Sequence, residues 1–164
     1  MKFDPGKIKQ DANKKHKENK TFLARLKSKK PGNLDRIVSD LHTEAFNRIN
    51  CLDCGNCCRT LGPRILQKDI DRIAKFLGLK PDGLIANYLR IDEDGDYVFK
   101  SMPCPFLGED NYCFIYEVRP KACAEYPHTD RRKFHQIIDL TLKNTETCPA
   151  VYEIIEGLKE NYGR

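Results

Sequence analysis

Four cysteines fall within eight residues, Cys51-x2-Cys54-x2-Cys57-Cys58, and four more follow at Cys104, Cys113, Cys123 and Cys148. Two residues between thiols let a chain turn so that both sulfurs reach one ion at about 2.3 Å. Gly55, directly after Cys54, suits that turn because glycine adopts positive φ without steric cost. The meaning of such a pattern depends on the redox compartment. The start, Met1-Lys2-Phe3-Asp4-Pro5-Gly6, lacks the apolar core of a secretory signal, and no apolar run approaches the roughly 18–20 residues of a membrane helix. A cytoplasmic setting with no membrane contact is expected, and there closely spaced thiols bind metal or do redox chemistry instead of forming structural disulfides.

Whether a folded body surrounds the thiols is a question of apolar content. Leu, Ile, Val and Phe make up 40 of 164 residues, above the roughly 20% below which chains stay disordered, and the length suits one domain with an extension. The net charge of +5 is unevenly spread. Residues 1–30 hold 10 Lys and 1 Arg against Asp4, Asp11 and Glu18, a net +8 that leaves −3 for the rest. Like charges repel, so residues 1–32 read as a basic, flexible arm ending at Pro31-Gly32. Residues 1–30 could contact nucleic acid or an acidic protein, although the arm lacks the interleaved aromatics of a strand-binding surface.

Beyond the arm, helical periodicity dominates. Asn33 can cap a helix carrying Leu34, Ile37, Val38, Leu41, Ala45 and Ile49 on one stripe. A second helix spans 69–77 with Gly78 after its end, and Pro81 suits the first turn of a third. Leu89-Arg90-Ile91 and Tyr97-Val98-Phe99 flank an Asp/Gly turn and predict a β-hairpin. The acidic turn is no EF-hand, because no carboxylate stands at the twelfth loop position. One short helix is expected after Pro120, a strand over 134–142, and a final helix over 149–162.

The cysteines admit two arrangements. Eight thiolates could close two tetrahedral zinc sites. Alternatively, Cys51, Cys54 and Cys57 with Cys104 or Cys148, each followed by Pro, could hold an iron–sulfur cluster. Cys57 and Cys58 are adjacent, and neighbouring side chains diverge in extended backbone, so one of them is expected to face elsewhere. A four-thiolate zinc carries a formal 2− charge that needs amides and cations around it. Arg59 and Arg119 are the candidates for that role. His128, five residues after Cys123, is a further candidate ligand, and His135 a weaker one.

The blocks Cys51-Leu52-Asp53-Cys54-Gly55-Asn56-Cys57-Cys58, Cys104-Pro105-Phe106-Leu107, Cys113-Phe114-Ile115-Tyr116-Glu117-Val118-Arg119-Pro120 and Cys123-Ala124-Glu125-Tyr126-Pro127 resemble the YkgJ-type CxxCxxCC cysteine-cluster family. The resemblance covers about residues 50–150. It implies zinc or iron chelation by the cluster, a bacterial intracellular setting and no agreed reaction. A related cluster occurs in flagellin lysine methylases, but this chain has no Gly-rich loop after a strand to hold a methyl donor's nucleoside. Ala124 stands where many relatives carry Arg, which removes one candidate cation.

Together these readings predict a helix-dominant α+β domain over 33–164, with a minor β-hairpin and a loop-rich centre nucleated by cysteine-bound metal. The expected cofactor is zinc or iron, including an iron–sulfur cluster in redox or delivery chemistry. No motif pairs a cysteine with a base, so a non-enzymatic role in metal handling or structure is favoured over catalysis. A zinc-stabilised nucleic-acid-binding module is the third reading.

Overall fold

The computed structural model describes residues 4–163. They form two compact units, whose boundaries fall within the cysteine-rich blocks: one comprises the chain up to Cys54 and from Pro127 onward, the other Gly55–Tyr126. The helix-dominant α+β class is as the sequence predicts.

The first unit is built from helices α1 (Pro5–Lys29), α2 (Leu34–Arg48), α3 (Cys51–Cys54), α8 (Ile138–Asn144) and α9 (Pro149–Tyr162). Helix α1 departs from the expectation of a flexible arm. The Asp4 carboxylate accepts from the Gly6 amide at 2.9 Å, and the helix buries Ala12, Asn19, Phe22, Leu23 and Leu26. Residues 1–3 of the expected arm lie outside the described residues. Charge repulsion loses here because the lysines occupy the solvent face or pair across the unit: Lys15 with Glu156 at 2.5 Å and Lys27 with Asp139 at 2.6 Å. Phe22, Leu23 and Leu26 join Val38, Phe134, Val151, Ile154, Ile155 and Leu158 in one core. Burying each large side chain contributes about 1.5–3 kcal/mol, more than the screened surface repulsion it opposes.

Helices α2 and α9 pack antiparallel. Arg48 at the end of α2 bonds Glu153 early in α9 at 2.7 Å, while the Tyr162 hydroxyl donates to Asn33 Oδ1 at 2.8 Å. Asn33 is the N-cap residue expected from the sequence, but its side chain is used for that contact and caps no amide. Gly157 lets the helices approach: a Cβ there would lie 2.6 Å from Leu41.

The expected strand over 134–142 is instead a 3-10 turn, Phe134–Ile137, followed by α8. Asp35 accepts from the amides of Lys133 and Phe134 at 2.7 and 2.9 Å and fixes its start. Phe134, Ile138 and Thr141 are buried at helical spacing while Leu140 is exposed, so the alternation in the sequence is not the pattern that packs.

The second unit contains α4 (Asn56–Thr60), α5 (Gln67–Phe76), α6 (Pro81–Tyr88), strands β1 (Leu89–Ile91) and β2 (Tyr97–Phe99), and α7 (Lys121–Glu125). The hairpin pairs Leu89 with Phe99 and Ile91 with Tyr97. Asp92 Oδ1 accepts from the amides of Asp94 and Asp96, each at 3.0 Å, so the acidic run is a turn closed by its own side chain. The core is small and partly aromatic: Ile65, Ile70, Ile73, Leu84, Leu89, Phe99, Phe106 and Ile115. Among the described residues, no helix is long and apolar enough to cross a membrane.

Candidate metal centre

The unit boundary falls between Cys54 and Gly55, so the cysteines of the proximal run are divided between the two units. Cys51, Cys54 and Cys148 belong to the first unit; Cys57, Cys58, Cys104, Cys113 and Cys123 belong to the second.

In the second unit the backbone gathers the thiols. The Cys104 amide donates to the Cys58 carbonyl at 2.8 Å. Leu107 and Cys113 form an antiparallel bridge, and Phe114 donates to Phe106 at 2.9 Å, which turns Cys113 back beside Cys104. Asp69, buried at 2% exposure, positions the last member: its Oδ1 accepts from the Lys121 amide at 3.1 Å and from Arg72 at 2.7 Å. Arg72 in turn donates to the carbonyls of Val118 and Arg119, fixing the approach to α7 and Cys123. Asp69 and Arg72 carry no metal-site signature in the sequence. An Asp three residues ahead of an Arg is ordinary on a helix, and only the fold shows what they hold.

Burial and the neighbouring thiols act together on Cys104, Cys113 and Cys123. Burial pushes Cys123 up to about 12, and the neighbouring Cys58, Cys104 and Cys113 raise it further. Cys104 is pushed up to about 11 by burial, with Cys58 and Cys113 adding to the effect against the Phe106 amide. Burial also raises Cys113, opposed by the Ile115 amide and Arg119. Cys58 is the exception, lowered to about 7, first by the Cys57 thiol and then by Arg59, against burial.

Arg59 and Arg119, the cations singled out in the sequence, both act on this group. Arg59 donates to Asn111 Oδ1 over Gly55, where a Cβ would lie 2.5 Å from the guanidinium. Gly55 has φ +57°, the positive value anticipated from its position. Arg119 stacks on the Tyr116 ring at 3.8 Å and donates to the Tyr116 carbonyl at 2.6 Å. Cys57 and Cys58 lie in helix α4, not in extended backbone, and their sulfurs are 3.9 Å apart.

In the first unit, Cys51 and Cys54 sit one turn apart on α3, and Cys148 is the N-cap residue of α9. Burial pushes Cys148 up to about 12; the amides of Val151 and Ala150 oppose this, and Cys51 and Cys54 reinforce it. His128 is also in this unit, half-buried with φ +67°. The neighbouring His42 is committed to Thr129 at 2.8 Å. His135 lies in the 3-10 turn before α8.

Among the described residues, no three His, Cys, Asp or Glu side chains stand in metal-coordination geometry. The donors are nevertheless of the soft, ionisable kind that thiophilic ions require, with opposing cations in the same unit.

Residues 50–149 match the family model CxxCxxCC, described as "Putative zinc- or iron-chelating domain". An uncharacterized protein of Methanocaldococcus jannaschii is 31% identical over 83 residues, which is 49% of this chain and 44% of that protein. The alignment thus spans less than half the length of that curated relative. No solved structure matches.

Proposed function

Because the chain belongs to the CxxCxxCC family of zinc- or iron-chelating domains, we propose that its second unit holds one zinc or ferrous ion through Cys58, Cys104, Cys113 and Cys123, as a structural centre. The observation that carries this reading is the backbone tie between Cys58 and Cys104 at 2.8 Å, together with the Leu107–Cys113 bridge that returns the chain to Cys104. Four thiolates around a divalent ion sum to a formal 2− charge, and Arg59 and Arg119 offset it. Cys57 hydrogen-bonds to Cys58 and supports it without being a ligand. When bound, such an ion supplies cross-links among segments that are far apart in sequence, with no open coordination position for catalysis.

The test is metal and sulfide analysis of anaerobically purified full-length protein and its serine variants. Zinc or iron without inorganic sulfide is expected. Cys58→Ser, Cys104→Ser, Cys113→Ser and Cys123→Ser should each lose one ion, whereas Cys57→Ser keeps it. Stoichiometric sulfide would replace this reading with an iron–sulfur cluster. Absence of both metals under loading conditions would end it.

A further inference from the structure

The first unit leaves part of the charge of α1 without a partner. Lys14 pairs with Asp11 at 3.3 Å, Lys15 with Glu156 and Lys27 with Asp139, while Glu18 is taken by Lys159 of α9. Lys17, Arg25 and Lys29 are exposed and form no ion pair among the described residues. Together with Lys14 they border two shallow hollows, of about 240 and 540 Å³, that share Phe22 and Arg25 and so make one trough along the flank of α1. At about 1.5 Å per residue, the line from Lys14 to Lys29 is about 22 Å long. Glu18 is the carboxylate on its wall, and Lys159 neutralises it. The floor is apolar where α1 meets α9. Phe22 and Leu26 reach it from the core, and Pro31 and Tyr162 close its far end. The Tyr162 hydroxyl, bonded to Asn33, holds that half-buried ring in place. Exposed Arg25 covers the Phe22 ring at 5.7 Å, which keeps its planar guanidinium flat against the floor. The lysines of α1 have no aromatic residues interleaved among them, and tertiary packing supplies one from α9.

We propose that this trough binds single-stranded nucleic acid without sequence preference, about four nucleotides at a time. Lys14, Lys17, Arg25 and Lys29 take successive phosphates, and bases stack on the Tyr162 ring and on the guanidinium plane of Arg25. The proposal is independent of the metal centre in the second unit. A duplex keeps its bases stacked inside, so it would use the cations and leave both stacking surfaces idle. An anionic membrane surface is held by apolar side chains that insert into it, and those of α1 are committed to the core: Phe22 is 7% exposed and Leu26 3%. An acidic peptide would likewise meet the cations alone.

The test is fluorescence anisotropy of a labelled oligothymidylate of about 16 nucleotides with the full-length chain as purified. Affinity should fall with salt at a log–log slope of about −3, from about 0.7 for each phosphate-bound cation. Lys14→Ala, Lys17→Ala, Arg25→Ala and Lys29→Ala should each weaken binding and reduce that slope by about 0.7. Lys9→Ala and Lys20→Ala, which change exposed cations of α1 outside the trough, should leave affinity and slope nearly as they were. Tyr162→Leu should weaken binding about fivefold or more, whereas Tyr162→Phe keeps the ring and the affinity. Far-UV circular dichroism checks the fold of each variant. Should Tyr162→Leu fail to fold, Arg25→Lys replaces it, because it keeps the charge and loses the plane: affinity should drop at an unchanged salt slope. Equal losses from Lys9→Ala and Lys17→Ala would reduce the surface to diffuse charge and overturn the trough. Binding unmoved by Tyr162→Leu and Arg25→Lys, and matched by a duplex, by polyglutamate or by phosphatidylserine vesicles, would overturn the single strand as its occupant. No measurable binding at about 50 mM salt would overturn the proposal outright.

Discussion

The two units solve the problem of stability with different materials. The first joins long helices around a continuous aliphatic core, with Phe134, Val38, Val151, Ile155 and Leu158 at 0% exposure. The second has short helices, a hairpin of two three-residue strands and a largely irregular segment from 100 to 120, around a smaller core drawn mostly from α5, α6, the hairpin, Phe106 and Ile115. A unit of that size buries too little apolar surface to be comfortable alone, and natural small domains make up the difference with metal or disulfides. Thiols therefore matter differently in the two units. On the proposed reading the second unit's thiols cross-link the fold through an ion, whereas in the first Cys148 sits at the start of α9, which packs against α2 in a continuous core.

Metal removal is the largest perturbation of this contrast. Chelator treatment under reducing conditions should abolish amide-exchange protection across 100–126 while leaving α2 and α9 protected. A structural zinc contributes on the order of 10 kcal/mol in small peptides, enough to exceed a domain's net stability. Equal loss of protection in both units would break the comparison.

A cavity in the first unit should have the opposite signature. Phe134→Ala removes a ring at 0% exposure and should destabilise by about 3–5 kcal/mol in denaturant melts, with metal stoichiometry unchanged. If it releases the Cys58-bound ion, the division of labour fails.

Gly55→Ala tests the turn at the unit boundary. A left-handed φ costs a non-glycine residue about 1–2 kcal/mol, and the new Cβ would also displace Arg59 and Asn111. Weaker metal retention in the second unit is expected, because Arg59 would leave the Cys58 thiolate. Unaltered metal affinity, measured by chelator competition, would show that Arg59 is a bystander.

The smallest effect belongs to α1. Burial raises the Glu156 pKa, but hydrogen bonds from Lys15 and Lys159 outweigh it, so the net value lies below the ordinary 4.5. A depressed carboxyl contributes stability above its unfolded pKa and loses it as pH falls through the lower folded value. The melting difference between the native protein and Glu156→Gln should therefore be present at pH 7 and vanish in acid below 4.5. A difference independent of pH would deny that α1 is held by this ion pair.

Much of the element order can be read from the chain. Helices α2, α5, α6 and α9 follow from apolar steps of three and four residues, and the hairpin from two β-rich triplets around Asp and Gly. Helix α1 was hidden because its apolar stripe is thin among eight lysines and includes Asn19, a polar residue that the fold buries at 0% exposure. The 3-10 turn and α8 were hidden because Leu140 completes a false alternation that only the surrounding core rejects.

The cysteine spacing was equally informative up to a point. Local geometry alone determines that Cys51 and Cys54 face one way, that Gly55 needs positive φ, and that eight thiols in this pattern suit a thiophilic ion. Which thiols share a field is a different kind of fact. Cys148 falls in the same unit as Cys51 and Cys54, where α2 and α9 pack antiparallel, and Cys58 in the same unit as Cys104, Cys113 and Cys123, where loop hydrogen bonds fold those segments together. Spacing governs neighbours a few residues apart, whereas sulfurs forty or ninety residues apart meet only through tertiary pairing.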